Sequence, residues 1–266
     1  MSKNIDFTKM SMDDFNSFVN EDQVIQYQQE ARLIPGTNIG LESSLTSVFL
    51  KSLCLIKEFR ELIFKDINVK TYSKYNLHAY TEVSFPEAKN GKSLTDKYGL
   101  ARIDGMVIIE RNNKIYDSIF FEMKNKKNEI DVNQIYRYRE LANELSINKL
   151  VMVSNQYVTV PTQLTIDITK KGNVSLYHLS WPYIMSKALI LLYKNDINIE
   201  DEDQVNIMKE VVNYFRDQNS GIYEYKSMTK SWKPALKNIC NDVSMTCLND
   251  EQKQEIQNTV ESWIQE

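Results

Sequence analysis

Three side chains near the ends of two neighbouring apolar runs have types and spacings that could do chemistry together. Asp104 lies near the start of the run 102–109, and Glu122 and Lys124 close the run 119–124. Because side chains two apart on a β-strand point to the same side of the sheet, Glu122 and Lys124 are predicted neighbours. A carboxylate beside an ammonium group at a strand end can bind a divalent metal and position a water molecule. That is the chemistry of phosphodiester hydrolysis.

The two runs also predict how these groups meet. Both are rich in β-branched and aromatic residues, and the segment 111–114 between them is polar and turn-like. We therefore predict a β-hairpin with its turn near Asn112 and Asn113. In that hairpin Asp104 and Glu122 fall near the same end of the sheet, close enough to share one metal ion.

The composition limits which metal could bind. The chain has two histidines, His78 and His178, and three cysteines, Cys54, Cys240 and Cys247. These are too few, at unsuitable spacings, for a structural zinc site or a histidine-rich iron site. Any metal is therefore expected to be hard and oxygen-ligated, meaning magnesium or manganese. An odd number of cysteines without a CxxC pair predicts reduced core thiols in a cytoplasmic protein.

Charge and hydropathy indicate whether nucleic acid or a membrane is an expected partner. The net charge of −4 is unusual for a nucleic-acid-binding protein, although lysines and arginines at 124–127 and 137–139 place positive charge beside the proposed site. A bound metal ion would also reverse the negative charge that the acidic residues give to the site. The start of the chain has no apolar signal-peptide core, and the apolar run 188–192 is too short to span a bilayer, so neither export nor a membrane partner is expected.

The surrounding pattern predicts an α/β protein. The predicted elements, in order, are short acidic helices within 1–40, one helix over 41–63, strands at 77–85, 102–109 and 119–124, a helix over 128–145, strands at 149–154 and 174–179, and helices over 182–194, 203–217 and 250–264. The helix between the strands that end at 124 and 154 implies a parallel pair in a mixed sheet. We predict an N-terminal helical lead-in (1–40), a core (41–180) and a C-terminal helical annex packed on that core (181–266).

Over residues 41–154 the chain resembles the PD-(D/E)XK nuclease superfamily. Asp104, the Glu122-x-Lys124 element and the pair Gln134 and Tyr138 match its acid, its acid-x-lysine and the Gln-x-x-x-Tyr element of its RecB-like members, within a poorly characterised bacterial branch. The proline that often precedes the first acid is Ile103 here. The resemblance implies a restriction-endonuclease-like core (α-β-β-β-α-β) with a mixed central sheet flanked by helices.

The resemblance also implies roles for the residues near the strand ends. Asp104 and Glu122 would ligate magnesium, and Glu42, at the start of the long helix, would join them. Lys124 would orient or help to deprotonate the attacking water. Alternatively, Glu42 is a first-turn acid that favours the helix dipole, Asp104 is a turn acid before Gly105, and the acid-x-lysine is an exposed strand face.

Four other residues carry weaker predictions. Gln134 and Tyr138 are one helical turn apart on the sheet-facing side of their helix, where they would contact a water or a phosphate or simply be polar residues at the edge of the core. Glu82, in the first predicted strand, either reaches the same sheet face as the site or is a solvated strand residue, and the second interpretation is preferred. Ser154 follows a strand, and the sequence assigns it no partner.

The implied function is a magnesium- or manganese-dependent deoxyribonuclease, with DNA, single-stranded DNA or RNA as partner and a homodimer or protein partner left open. The alternative is a nuclease-like fold that acts as a non-catalytic module binding nucleic acid or protein. The acidic charge and the missing proline favour the module. The intact acid-x-lysine followed by Gln-x-x-x-Tyr favours the enzyme.

Overall fold

The computed structural model describes residues 10–15, 29–33, 41–70, 74–85, 102–158, 160–168, 172–193 and 199–223, with a few single positions beyond. The elements are β1 (Gln29–Glu30), α1 (Glu42–Leu55), α2 (Lys57–Asp66), β2 (Asn76–Ser84), β3 (Arg102–Arg111), β4 (Lys114–Met123), α3 (Val132–Glu144), β5 (Lys149–Ser154), β6 (Ser175–Ser180), α4 (Trp181–Tyr193) and α5 (Glu202–Arg216). The helix predicted over 250–264 and most of the lead-in lie outside the described residues. In the described part, no helix is both long and apolar enough to cross a membrane.

The strands form one mixed sheet in the order β1-β2-β3-β4-β5-β6. Strands β1 to β4 pair antiparallel, whereas β4, β5 and β6 pair parallel. The predicted hairpin is confirmed, with Gly105 opposite Phe121. Its turn residues Asn112 and Asn113 have φ angles of 54° and 57°, the left-handed conformation that two-residue hairpin turns require and that asparagine tolerates.

Helices cover both faces of the sheet, so the molecule is an α/β protein with a mixed sheet between helical layers. The helices α1, α2, α4 and α5 share one hydrophobic cluster with one face of the sheet, and α3 shares a second cluster with the other face. The apolar residues of β4 alternate between the two, with Ile119 and Phe121 in the first cluster and Phe120 in the second. Burial on both faces explains why these strands are almost continuously apolar.

The single long helix predicted over 41–63 is wrong, because the chain forms two helices there. Ile56 between them is extended, with φ −111° and ψ 104°. The second helix begins where the side chain of Gln204 accepts a hydrogen bond from Lys57 N at 3.0 Å, and Arg60 donates to the carbonyl of Leu53 at 3.1 Å. The break is held by a residue of α5 far along the chain, so periodicity near Ile56 could not reveal it.

Part of the predicted helical lead-in is also wrong, because β1 is extended. Beyond it, Ala31 N donates to Ala79 O at 2.8 Å, and Ser47 Oγ both accepts from Arg32 N at 2.5 Å and donates to Arg32 O at 2.9 Å. The extended conformation satisfies backbone groups along the outer edge of β2, which a helix could not do.

The C-terminal helices pack through aromatic rings on α1. Trp181 of α4 lies 5.8 Å from the ring of Phe49 and 5.6 Å from the ring of Phe215 on α5, centroid to centroid. Each of these fully buried rings contributes about 2 kcal/mol of apolar burial. Ser180 Oγ accepts from Tyr183 N at 3.2 Å and so starts α4. The boundaries of lead-in, core and annex stay predictions.

Candidate functional site

Three carboxylates from three elements surround the ammonium group of Lys124. Its Nζ lies 2.5 Å from Oε1 of Glu122, 3.2 Å from Oε1 of Glu42 and 3.9 Å from Oδ2 of Asp104. Glu42 is the first residue of α1, Asp104 is near the start of β3, and Glu122 is near the end of β4. The structure therefore brings together the four residues that the sequence placed on one helix and one hairpin. We call them the carboxylate–lysine cluster.

Side chains of α1 pack directly against the backbone of β3 next to Asp104. A Cβ atom on Gly105 would lie 2.5 Å from Cδ1 of Leu50 and 3.2 Å from Cγ2 of Thr46. Any larger residue would have to displace these side chains, so glycine suits the close approach of the strand to the helix. The Asp104 carboxylate is fixed by the neighbouring strand β4, because Oδ2 accepts a hydrogen bond from Met123 N at 2.8 Å.

The loop after β4 orients Glu42 and Lys124. Glu42 Oε2 accepts from the backbone N–H of Asn125 at 3.3 Å and from Nδ2 of Asn128 at 3.5 Å. The backbone of Lys124 is held on both sides, because its N–H donates to Val153 O at 2.8 Å and its carbonyl accepts from Trp181 Nε1 at 2.8 Å. Neither asparagine was predicted as a site residue from the sequence, where the only signal is their position just after the acid-x-lysine.

A second contact ties that loop to the segment that follows α5. Asn155 Nδ2 donates to the carbonyls of Lys126 at 2.9 Å and Gly221 at 2.8 Å, and Asn155 Oδ1 accepts from Tyr223 N at 3.0 Å. Lys126 N also donates to Gly221 O at 2.8 Å. Gly221 has a φ of 78°, and a Cβ there would lie 2.7 Å from Cγ of Lys126. We call this arrangement the Asn155 clamp.

Glu122 carries the strongest electrostatic conflict of the site. Its side chain is 0% exposed, and within the described chain neither carboxylate oxygen accepts a well-directed hydrogen bond, despite the close approach of Lys124. Burial and the neighbouring Asp104 raise the pKa of Glu122 well above its usual range, against the opposing effect of Lys124. Burial of this kind favours the protonated carboxyl group unless nearby cations offset the charge of the ionised form.

Lys124 itself stays protonated. Burial opposes its charge, but the carboxylates of Glu122 and Asp104 outweigh that effect and raise the pKa of Lys124 above its ordinary value. An ammonium group with a raised pKa donates hydrogen bonds at neutral pH and is a poor proton acceptor. This property limits what Lys124 can do in a reaction.

Gln134 and Tyr138 lie beside the cluster, on the sheet-facing side of α3 as predicted. Gln134 Nε2 donates to the hydroxyl of Tyr138 at 2.8 Å, and that hydroxyl donates to the backbone carbonyl of Arg102 at 2.6 Å. Burial, then the charge of Glu122, raises the pKa of Tyr138, so the phenol stays neutral. The pair therefore fixes the start of β3, two residues before Asp104.

Glu82 is not the solvated strand residue that the sequence suggested. Its side chain is 22% exposed and its Oε2 lies 2.5 Å from Nε of Arg102. Burial raises the pKa of Glu82, Arg102 opposes that rise, and the charges of Asp104 and Glu42 add to it. Glu82 thus belongs to the electrostatic surroundings of the carboxylate–lysine cluster, because β2 and β3 bring it beside Asp104.

A separate polar network lies between β5 and β6. Ser154 Oγ is 2.9 Å from Nε2 of His178, whose Nδ1 is 3.2 Å from Oγ1 of Thr165. Thr165 in turn donates to Gln156 Oε1 at 3.0 Å. Burial lowers the pKa of His178 to about 4, so the ring is neutral. Ser154 and His178 are both 0% exposed, so neither side chain of this pair is accessible from solvent.

Among the residues that the structure describes, no three His, Cys, Asp or Glu side chains are arranged to hold a metal ion. The space between the carboxylates is taken by Nζ of Lys124. In comparisons with known proteins, no family model matches the chain and no curated protein matches it in sequence.

Proposed function

We propose that this protein is a metal-dependent nuclease that hydrolyses phosphodiester bonds of DNA with magnesium or manganese. The observation that carries the proposal is the carboxylate–lysine cluster, in which Lys124 Nζ lies within 4 Å of Glu42, Asp104 and Glu122. A set of hard oxygen donors with one cationic donor in their midst suits attack of water on a phosphate ester.

The donor set fits a hard divalent cation. In the described part of the site, Glu42, Glu82, Asp104 and Glu122 face the two cations Lys124 and Arg102, so four negative and two positive charges leave an excess of two negative charges. A divalent cation would neutralise that excess. The buried oxygens of Glu122 that lack a well-directed hydrogen bond are suitable ligands.

Glu42, Asp104 and Glu122 would hold the cation. When bound, it would supply Lewis-acid polarisation of the phosphodiester and lower the pKa of a coordinated water. The hydrogen bonds from Met123 to Asp104 and from Asn125 to Glu42 keep these two carboxylates in place, and Lys124 Nζ would have to leave the space between the carboxylates when the cation binds.

The other residues of the site act through charge and position. Because its pKa is raised, Lys124 acts as a hydrogen-bond donor toward the phosphate or the water, and not as the base that the resemblance allowed. Tyr138 and Gln134 are positioning residues, since their hydrogen bonds hold the start of β3. The order α-β-β-β-α-β from α2 through β5 supports a restriction-endonuclease-like core.

The experiment is metal-dependent cleavage by the purified full chain. Circular and linear DNA, each single- and double-stranded, and a structured RNA are incubated with Mg²⁺, with Mn²⁺ or with EDTA. Wild type is expected to cleave DNA only with metal, and Glu122→Ala and Lys124→Ala to lose at least about 100-fold in rate. Glu140→Ala, an exposed acid on α3, is the matched control. Unchanged cleavage in both site variants would refute the assignment of this site.

One observation favours a second candidate, a nuclease-like fold that binds nucleic acid or protein without turnover. Lys124 Nζ already neutralises part of the cluster and fills its centre, as it would in a purely structural ion network. That reading predicts no cleavage by wild type on any substrate and no stabilisation by Mn²⁺. Metal-dependent cleavage lost in Glu122→Ala excludes it.

A further inference from the structure

The ion pair between Glu82 and Arg102 is not used by the hydrolysis proposed above, although it borders the cluster. Arg102 lies two residues before Asp104 on β3, and its backbone carbonyl accepts from the hydroxyl of Tyr138 at 2.6 Å. Its guanidinium contacts Glu82 through Nε at 2.5 Å. The side chain of Arg102 is 54% exposed, whereas that of Glu82 is 22% exposed. A solvent-facing cation is thus joined to a half-buried anion next to the site.

An unusual backbone conformation places Glu82 there. Its φ is 57°, in the left-handed region that residues other than glycine seldom adopt inside a strand. Thr81 pairs with Gly105 and Val83 pairs with Ile103, so Glu82 lies opposite Asp104. Beyond this point Val83 and Ile103 both join the hydrophobic cluster under α3. The strained residue therefore turns the strand at the level of Asp104, and strain of this kind concentrates at functional positions.

We propose that Arg102 binds a backbone phosphate of the nucleic-acid substrate next to the scissile one, and that Glu82 holds its guanidinium in place and weakens that binding. This inference rests on the nuclease function proposed above. It adds the residue that meets the substrate from the solvent side.

The two cations of the site differ in access. Among the described residues around the cluster, Lys124 is 15% exposed and enclosed by carboxylates, so a polyanion arriving from solvent meets Arg102 first. Arginine presents several N–H groups in a planar fork that suits two phosphate oxygens. Glu82 approaches the guanidinium at Nε, which leaves the two terminal nitrogens to meet a phosphate.

Glu82 has two opposing effects on a bound phosphate. It orients the guanidinium through the ion pair, and it adds a negative charge close to the incoming phosphate. Glu82 is already close enough to Asp104 and Glu42 for their charges to act on it. Removing its charge while keeping its shape should therefore strengthen binding, whereas removing the charge of Arg102 should weaken it.

The test measures binding of short fluorescent DNA duplexes and single strands by anisotropy, in Ca²⁺ over a series of salt concentrations. Arg102→Gln is expected to weaken binding by about 5- to 20-fold and to reduce the salt slope by about 1. Arg102→Lys should lie between, because it keeps the charge without the fork. Glu82→Gln should bind about 2- to 5-fold more tightly, an outcome that misfolding cannot produce. Arg111→Gln, at the far end of β3 and about 30 Å away, is the matched control and should bind as wild type.

The outcomes separate this inference from the nuclease proposal. If wild type binds and cleaves DNA while Arg102→Gln and Glu82→Gln bind as wild type does, the role of Arg102 is overturned and the nuclease function stands. Weaker binding in Glu82→Gln would overturn the restraining role of Glu82. If wild type neither binds nor cleaves DNA or RNA, both proposals fall together.

Discussion

Replacing Glu122 with glutamine should stabilise the protein while abolishing its proposed activity. The carboxylate is 0% exposed, and its pKa is raised by burial and by Asp104, so the ionised form destabilises the fold at neutral pH. Glutamine keeps the shape and removes the charge. Lys124 is not left without an anion, because its Nζ remains 3.2 Å from Glu42 and 3.9 Å from Asp104.

The magnitude follows from these contacts. Replacing both partners of a buried ion pair often leaves stability unchanged or raises it by about 1–4 kcal/mol, whereas removing one partner destabilises when the other charge is left unpaired. Here Lys124 keeps Glu42 and Asp104, so Glu122→Gln resembles the first case. We expect the lower part of that range, about 1–2 kcal/mol, because Lys124 loses its nearest anion. For a chain of this size each kcal/mol raises the melting temperature by about 2–4 °C.

The pH dependence of stability tests independently whether Glu122→Gln is stabilising. A glutamate whose folded-state pKa is raised contributes stability that is present below its unfolded-state pKa and lost as the pH rises through the folded-state pKa. The advantage of Glu122→Gln should therefore be largest near pH 8 and shrink toward pH 5. The assay is thermal unfolding of both proteins across this range without metal, with Glu140→Gln as the control. A variant less stable than wild type at pH 8, or an advantage that does not change with pH, would refute the reasoning.

Three further predictions concern other parts of the molecule. Burial lowers the pKa of His178 from 6.5 to about 4. The free energy of unfolding should therefore fall by up to about 3 kcal/mol as the pH drops from 6.5 toward 4. His178→Gln should flatten this loss in urea titrations. Gly105→Ala should destabilise by about 1–3 kcal/mol because its Cβ would lie 2.5 Å from Cδ1 of Leu50, and adding Leu50→Ala should recover part of the loss in melting temperature. Asn155→Asp keeps the acceptor for Tyr223 N but loses both hydrogen bonds donated by Nδ2. It should therefore lower kcat for DNA cleavage with little change in KM. An unchanged kcat would show that the Asn155 clamp does not position the loop after β4.

Much of the fold could be predicted because its signals are local. The hairpin of β3 and β4 follows from two β-rich runs around an asparagine turn, and α3 follows from its apolar spacing. The break at Ile56 could not be predicted, since the residue that caps α2 there is Gln204 on α5. The edge strand β1 was missed for the same reason, because its partner β2 lies about 50 residues later in the chain.

The candidate site likewise combines features that local sequence predicts with features that depend on tertiary packing. The sequence determined that Glu122 and Lys124 share one side of a strand end and that Gln134 and Tyr138 share one side of a helix, because the repeats of strand and helix fix those relations within a few residues. Only the tertiary structure decided that Glu42 and Asp104 reach Lys124, that Glu82 turns toward Arg102 and that Ser154 contacts His178. Those distances depend on how close a helix and two strands approach, which is set by packing between segments far apart in the chain.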